Sequence, residues 1–168
     1  MKTTANIAAL LAALALTLSA CAGTPASSGK GLSLEEGIAQ IARAIGDALP
    51  SGCRVAVVGF ASPVARFSDY VLDEMQGALQ NSRHLTLTER VRLDAVRKEQ
   101  GFQFSGEVDE ASAVMLGKFL GAQIVVIGNI TPLGGNTARL RFTAIDVETA
   151  VRKASPAATV RVDPVWGL

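Results

Sequence analysis

Cys21 follows Leu18-Ser19-Ala20 at the end of a segment that opens with Met1-Lys2 and is apolar from residue 7 to residue 18. A positive residue, a short apolar run and small residues before a cut are the marks of a secretory signal. A cysteine directly after those small residues adds the chemistry of a bacterial lipoprotein precursor. Its thiol is joined to diacylglycerol, the chain is cut on its N-terminal side, and the new α-amine is acylated. The sequence thus predicts a signal peptide over residues 1–20 and a lipidation site at Cys21, with palmitate among the acyl chains. The chain is then held on a lipid bilayer through Cys21. A transmembrane helix fits the same residues poorly. The apolar run is shorter than the ~20 residues that span a bilayer, and Gly23, Pro25, Ser27, Ser28 and Gly29 follow it at once. Ala22, where an aspartate would signal retention, predicts the outer membrane with the domain on its periplasmic face.

No other side chains assemble a reactive set. His84 is the single histidine, so no Cys/His spacing suits zinc. Ser68, Asp69 and His84 can be combined on paper into a Ser–His–Asp set, but one histidine among many serines and aspartates gives such sets by chance. No G-x-S-x-G elbow, P-loop or dinucleotide fingerprint occurs. The reading is a non-enzyme with no catalytic residue, no metal ligands and no cofactor. With Cys21 acylated, Cys53 is the remaining thiol, which leaves no internal disulfide; it reads as a small buried hydrophobe.

Phe102-Gln103-Phe104-Ser105-Gly106-Glu107 is the stretch that most invites a binding role. Two phenylalanines beside an acid could supply the hot spot of a partner contact, with Phe102, Phe104 and Glu107 as its candidate residues. The other reading packs both rings onto the core; Phe104 leans that way and Phe102 is open.

These residues need a scaffold. Residues 21–32 read as a lipidated flexible tether, small, polar and broken by Pro and Gly, and residues 33–168 as one domain. Ser33 and Glu36 form a capping box, and Leu34, Ile38, Ile41, Ile45 and Leu49 recur at helical spacing until Pro50-Ser51-Gly52. Residues 55–60 are a continuous apolar run, the mark of a central strand with helices above and below. A helix near Ser68 carries Val71, Leu72, Met75, Ala78 and Leu79, with Asp69 and Asp73 toward its positive end. Residues 84–88 alternate as a second strand, and 89–100 form a charged helix. Asp109 caps a helix with Ala113, Val114, Leu116, Phe119 and Leu120, which Gly121 ends. Strands 123–130 and 137–147 form a hairpin around Gly134-Gly135, and 158–162 adds an edge strand. The order predicts an α/β fold: a single domain with a mixed sheet of about four to five strands, flanked by helices, ending in a C-terminal antiparallel hairpin.

Charge excludes one class of partner. The chain has 16 Lys and Arg against 15 Asp and Glu, and Lys2 leaves with the signal, so the remainder is balanced. Such a chain has no electrostatic footprint for nucleic acid, and shows no polybasic run that would hold it on anionic lipid without an anchor.

Five pieces recur in a fixed order: Val55-Ala56-Val57-Val58-Gly59-Phe60, Thr88-Glu89-Arg90-Val91-Arg92-Leu93-Asp94, Glu99-Gln100 with Ser105-Gly106-Glu107-Val108, Leu116-Gly117-Lys118-Phe119-Leu120-Gly121-Ala122-Gln123, and Val125-Val126-Ile127-Gly128-Asn129-Ile130. In order and spacing they resemble the family of periplasmic lipoproteins that includes the curli-secretion channel subunit (CsgG-like) and the penicillin-binding-protein activator (LpoB-like), in its small single-domain form. The resemblance implies a non-catalytic protein-interaction module of the cell envelope that binds another envelope protein and regulates a penicillin-binding protein. The alternative it implies is an accessory or structural subunit of an outer-membrane, curli-type secretion assembly, a homo-oligomer built through its hairpin edge. A hydrolase or small-ligand binder is the third reading. Secretion-type members build a barrel from inserted hairpins whose strands need about 9–11 alternating residues, and this sequence holds no spare pair. Activator-type members carry a long tether; here residues 22–31 reach at most ~33–36 Å.

Overall fold

The computed structural model describes residues 31–82, 84–89, 93–95 and 109–168. Cys21, Phe102, Phe104 and Glu107 lie outside the described residues, as do most of the charged helix expected over 89–100 and its glycine cap. Among the described residues no helix is long and apolar enough to cross a membrane.

The elements run α1 (Leu34–Ala48), β1 (Arg54–Ala61), α2 (Ala65–Gln80), β2 (Thr86–Leu87), α3 (Glu110–Leu120), β3 (Ile124–Gly134), β4 (Thr137–Asp146), β5 (Arg152–Ala154) and β6 (Ala157–Arg161), followed by a 3-10 turn at Pro164–Trp166. They make a mixed six-stranded sheet in the order β2-β1-β3-β4-β5. β2, β1 and β3 are parallel, and β3 and β4 are the expected antiparallel hairpin. β5 and β6 share the far edge of β4, β5 at Ala144–Ile145 and β6 at residues 137–141. β5 is the strand beyond those expected. Its three residues follow a turn in which Asp146 Oδ1 accepts from the backbone of Glu148 and Thr149.

Each face of the sheet has its own core. α1 and α2 cover one face, where Ile38, Ile41, Ile45, Val71, Met75 and Leu79 meet Val55, Val57, Val126, Leu140, Phe142 and Val160. α3 covers part of the other, with Ala113, Leu116 and Leu120 over Ala56, Val58, Val125 and Ile145, joined by Leu93. A bulge between Val57 and Gly59 shifts the register of β1. The extra residue turns Phe60 onto the α1–α2 side, where it stacks on Phe142 at 5.4 Å. Gly128 makes that stack fit: a Cβ there would lie 2.6 Å from the Phe142 ring and 2.7 Å from Phe60. Gly117 does the same for α3, since a Cβ would overlap Val125 and Val147.

Local signals behave largely as expected. Ser33 Oγ accepts from Glu36 N at 3.1 Å while Glu36 Oε2 accepts from Ser33 N at 2.8 Å, closing the capping box. Asp109 caps α3, and Gly121 ends it with φ 66°. Cys53 is buried, and burial pushes its thiol up. Four expectations are corrected. α2 begins at Ala65, not near Ser68, so Asp69 lies past its first turn and Val64 caps it without a side-chain bond. The second strand shrinks to two residues. β3 continues through Pro132, because β1 ends opposite Asn129 and leaves an edge, where proline is tolerated. Phe119 is not core; it is half exposed, as is Met115.

Tyr70 joins the two helices of the first layer by donating to Glu35 Oε1 at 2.9 Å. Burial first, then the Glu35 hydrogen bond and charge, push its phenol up to about 12. A raised phenol stabilises the fold below the unfolded value near 10 and loses that contribution as pH climbs through the folded value. As the only tyrosine, its phenolate absorbance should titrate near 12 in the folded protein and near 10 in denaturant. Glu35→Gln should lower the folded midpoint, and an unmoved midpoint would separate the two groups.

Candidate interaction surface

α3 reaches only the half of its sheet face built from the start of β3 and the end of β4. Past Ile127, side chains on that face point to solvent, and the ladder places them in rows. Asn129 pairs with Arg141, which pairs with Ala157; Thr131 pairs with Arg139, which pairs with Thr159; Thr137 pairs with Arg161. Arg139, Arg141, Arg161, Asn129, Thr131 and Thr159 are all exposed. Alternation sorts these residues from the core, since Ala138, Leu140, Phe142, Ala158 and Val160 point the other way and are buried.

An open cleft of about 450 Å³ lies where this face meets the N-terminus of α3, between Asp109, Glu110, Asn129, Arg141, Arg152 and Ser155. Its acids are engaged. Glu110 accepts from Arg152 Nε at 2.9 Å and pairs with the same guanidinium at 2.5 Å. Asp109 accepts from Ser112 Oγ at 2.6 Å and from Ser112 N at 2.9 Å. The hydroxyl bond first, then the backbone bond, hold its carboxyl below the usual range. Arg141 has only a 3.4 Å approach to Ser155 Oγ, which itself shares a 3.0 Å bond with Thr143. No ion pair among the described residues engages Arg139, Arg141 or Arg161. The surface therefore offers three guanidiniums on a rigid ladder, each able to fork onto a carboxylate.

The paper triad does not assemble. Ser68 and Asp69 lie near the start of α2 and His84 lies past its end, about 18 Å of helix away at 1.5 Å per residue. His84 is instead a structural tie: Nε2 is 3.0 Å from Gly46 O, and its own carbonyl accepts from Gly52 N at 2.6 Å. Among the described residues no group of three His, Cys, Asp or Glu could hold a metal. Two further clefts flank Arg54 at the opposite end of the strands, one beside Thr86, Thr88 and Glu89, the other beside Lys118, Asp146 and Glu148. Arg54 itself donates to Gly121 O at 2.7 Å, a bond that pins the α3–β3 joint.

The basic rows were missed in the sequence because Arg139, Arg141 and Arg161 come from two strands and the net charge is balanced. The available signal was phase: in Thr137-Ala138-Arg139-Leu140-Arg141-Phe142 every second residue is cationic or polar.

The architecture is that of a small mixed-sheet α/β domain with a cationic strand face. The chain belongs to the CsgG family, described as curli production assembly/transport component, whose model matches residues 53–163. Among solved structures it is similar to the LpoB C-terminal domain from Salmonella enterica, with TM-score 0.66 and 16% identity over 76% of this chain and 98% of that one. It is similar to Escherichia coli LpoB, with TM-score 0.64 and 15% identity over 82% and 72%. Lipoprotein GNA1162 from Neisseria meningitidis aligns with TM-score 0.54 and 16% identity over 65% and 80%. At these identities the likeness is one of fold. No curated protein sequence matches the chain.

Proposed function

We propose that the protein is a lipoprotein anchored through Cys21 in the outer membrane, whose domain is a non-catalytic interaction module of the periplasm that regulates a penicillin-binding protein. The observation that carries the interaction role is the open face of β3, β4 and β6, where Arg139 and Arg141 form no ion pair among the described residues. A stretch of the domain covering almost the whole of an LpoB C-terminal domain supports the choice of partner class. Arginines on a stiff ladder lose little entropy on docking and steer an acidic surface into register, which acts chiefly on association rate and specificity. Regulation would follow from binding alone: a partner whose active form accepts this face is favoured by its differential affinity.

A second reading, an accessory subunit of a secretion assembly, draws on the hairpin, which projects from Thr131 to Gly134 past the end of β1. Charge reversal separates the two. Arg139→Glu with Arg141→Glu should cut capture of the crosslinked envelope partner by about tenfold or more, most strongly at low salt. Exposed substitutions of this kind usually move stability by no more than ~0.5 kcal/mol each, so melting should stay near wild type. Undiminished capture would remove this face from the account, and loss of self-crosslinks in place of a partner would favour the second reading.

A further inference from the structure

We propose that the tip of the β3–β4 hairpin and the sheet-side corner beside it rest on the phospholipid surface that holds the acyl chains, so that the domain is oriented on its membrane and not merely leashed to it. This rests on the Cys21 anchor.

The first observation is where the chain departs. Leu32 bridges Val160 in parallel fashion; its amide donates to Thr159 O at 3.3 Å, and its carbonyl accepts from Arg161 N at 2.8 Å. Gly31 is therefore fixed at the outer edge of β6, and residues 22–30 start from there. They span at most ~30–32 Å at 3.3–3.6 Å per residue. A domain of about 140 residues has a radius of gyration near 14 Å and a diameter somewhat above that span. The leash is short enough to keep its attachment end beside the bilayer.

The second observation is what that end presents. Arg161 pairs with Thr137, and Thr137 with Gly134; the hairpin tip thus lies three strand spacings from Leu32, about 15 Å. Val162 N donates to Asn136 O at 2.8 Å, which brings the 3-10 turn to the same end. Leu133 at the tip is 54% exposed and Val165 in the turn is 66% exposed, which puts both, with Val151, among the most exposed large apolar side chains of the described residues. The tip is braced by Thr137 Oγ1, which donates to Gly134 O at 2.7 Å.

Charge sets the lean. On the sheet side of this end is Arg161, opposite Thr137 at the base of the tip. On the helix side are Glu35 and Glu36, the first accepting from Tyr70 and the second from Ser33 N, with Asp163 capping the turn; these three acids outnumber Arg66, which lies over Trp166 and donates to Val165 O. An anionic headgroup layer attracts the first corner and repels the second. Two apolar side chains and one guanidinium would not hold a free protein on a bilayer. Tethering makes the contact intramolecular, with an effective concentration in the millimolar range.

The test uses the full lipidated chain in vesicles of phosphatidylethanolamine and phosphatidylglycerol, with phosphatidylcholine vesicles for comparison. An environment-sensitive dye is placed at Leu133→Cys or, at the far end of α2, at Gln80→Cys; buried Cys53 stays in place. Acyl-chain quenchers should quench position 133 several-fold more than position 80. The difference should shrink on phosphatidylcholine and in an Arg161→Glu variant, which leaves Arg139 and Arg141 in place. Equal quenching at both positions in protein that floats with the vesicles would overturn the contact and leave the anchor standing. Failure to float would overturn the anchor reading itself. A dye response that needs an added acidic envelope protein would assign this corner to that protein and overturn the lipid contact.

Discussion

Phe142→Ala is expected to destabilise the domain by about 3–5 kcal/mol, the range for truncating a fully buried aromatic. Phe142 is completely buried, stacked on Phe60, and that ring continues to Phe67 at 6.1 Å and from there to Trp166 at 5.2 Å. Removing it opens a hole at the centre of the α1–α2 core that Gly128, opposite it in the ladder, has no side chain to fill. Against a total stability of roughly 5–15 kcal/mol, the loss should lower the thermal midpoint by about 10–20 °C for a domain of this size. Circular dichroism melting reads it directly. Gly128→Val alone should also destabilise, because its side chain would overlap both rings. In the double variant the new methyls occupy part of the hole, so the two effects should sum to less than their separate values. A Phe142→Ala loss below ~1 kcal/mol would mean the aromatic stack does not organise this core.

Cys21→Ala should leave an unprocessed precursor that takes up no labelled palmitate, an all-or-none effect on anchoring. The chemistry needs a thiol at one position, directly after Leu18-Ser19-Ala20, and no other residue there can accept diacylglycerol. Each buried methylene contributes about 0.8 kcal/mol, and one acyl chain alone holds a protein only marginally; the variant therefore stays as the precursor, with no acyl chain to anchor it. Unchanged processing in the variant would remove the anchor from the account. Fractionation of wild-type protein to the inner membrane would overturn the expected sorting while leaving lipidation intact.

Periodicity and caps carried most of the fold into view. The Ser33–Glu36 box, the apolar run of β1, Gly121 and the Gly134-Gly135 turn each specify local geometry through nearest neighbours, so each can be read one segment at a time. What escaped depends on partners distant in sequence. The bulge at Val57–Gly59 reverses the facing of Phe60 without any local mark, since both faces of β1 are apolar. Pro132 looked like the end of a strand because only tertiary pairing shows that β1 has stopped by then. β5, three residues long, has no pattern of its own and exists because β4 offers it an edge. The start of α2 was misplaced because Val64 brings no capping side chain to announce it.

The interaction surface was legible only in part. Phe102, Phe104 and Glu107 lie outside the described residues, so the register has no bearing on them. The cationic rows needed the register that sets Arg139 opposite Thr159 and Arg141 opposite Asn129. Whole-chain charge, balanced to within one unit, hides a surface on which one sign is segregated. Segregation matters more than the sum, because a partner meets a face and not a total.

The central claim is that this face captures another envelope protein. The most direct measurement places a photo-crosslinking residue at Thr143, on the half-buried wall of the cleft, in the full lipidated chain, and illuminates intact cells. The account predicts one dominant heterologous adduct, containing a penicillin-binding protein and lost on Arg139→Glu with Arg141→Glu. A ladder of adducts between copies of this chain, unaffected by those substitutions, would contradict it.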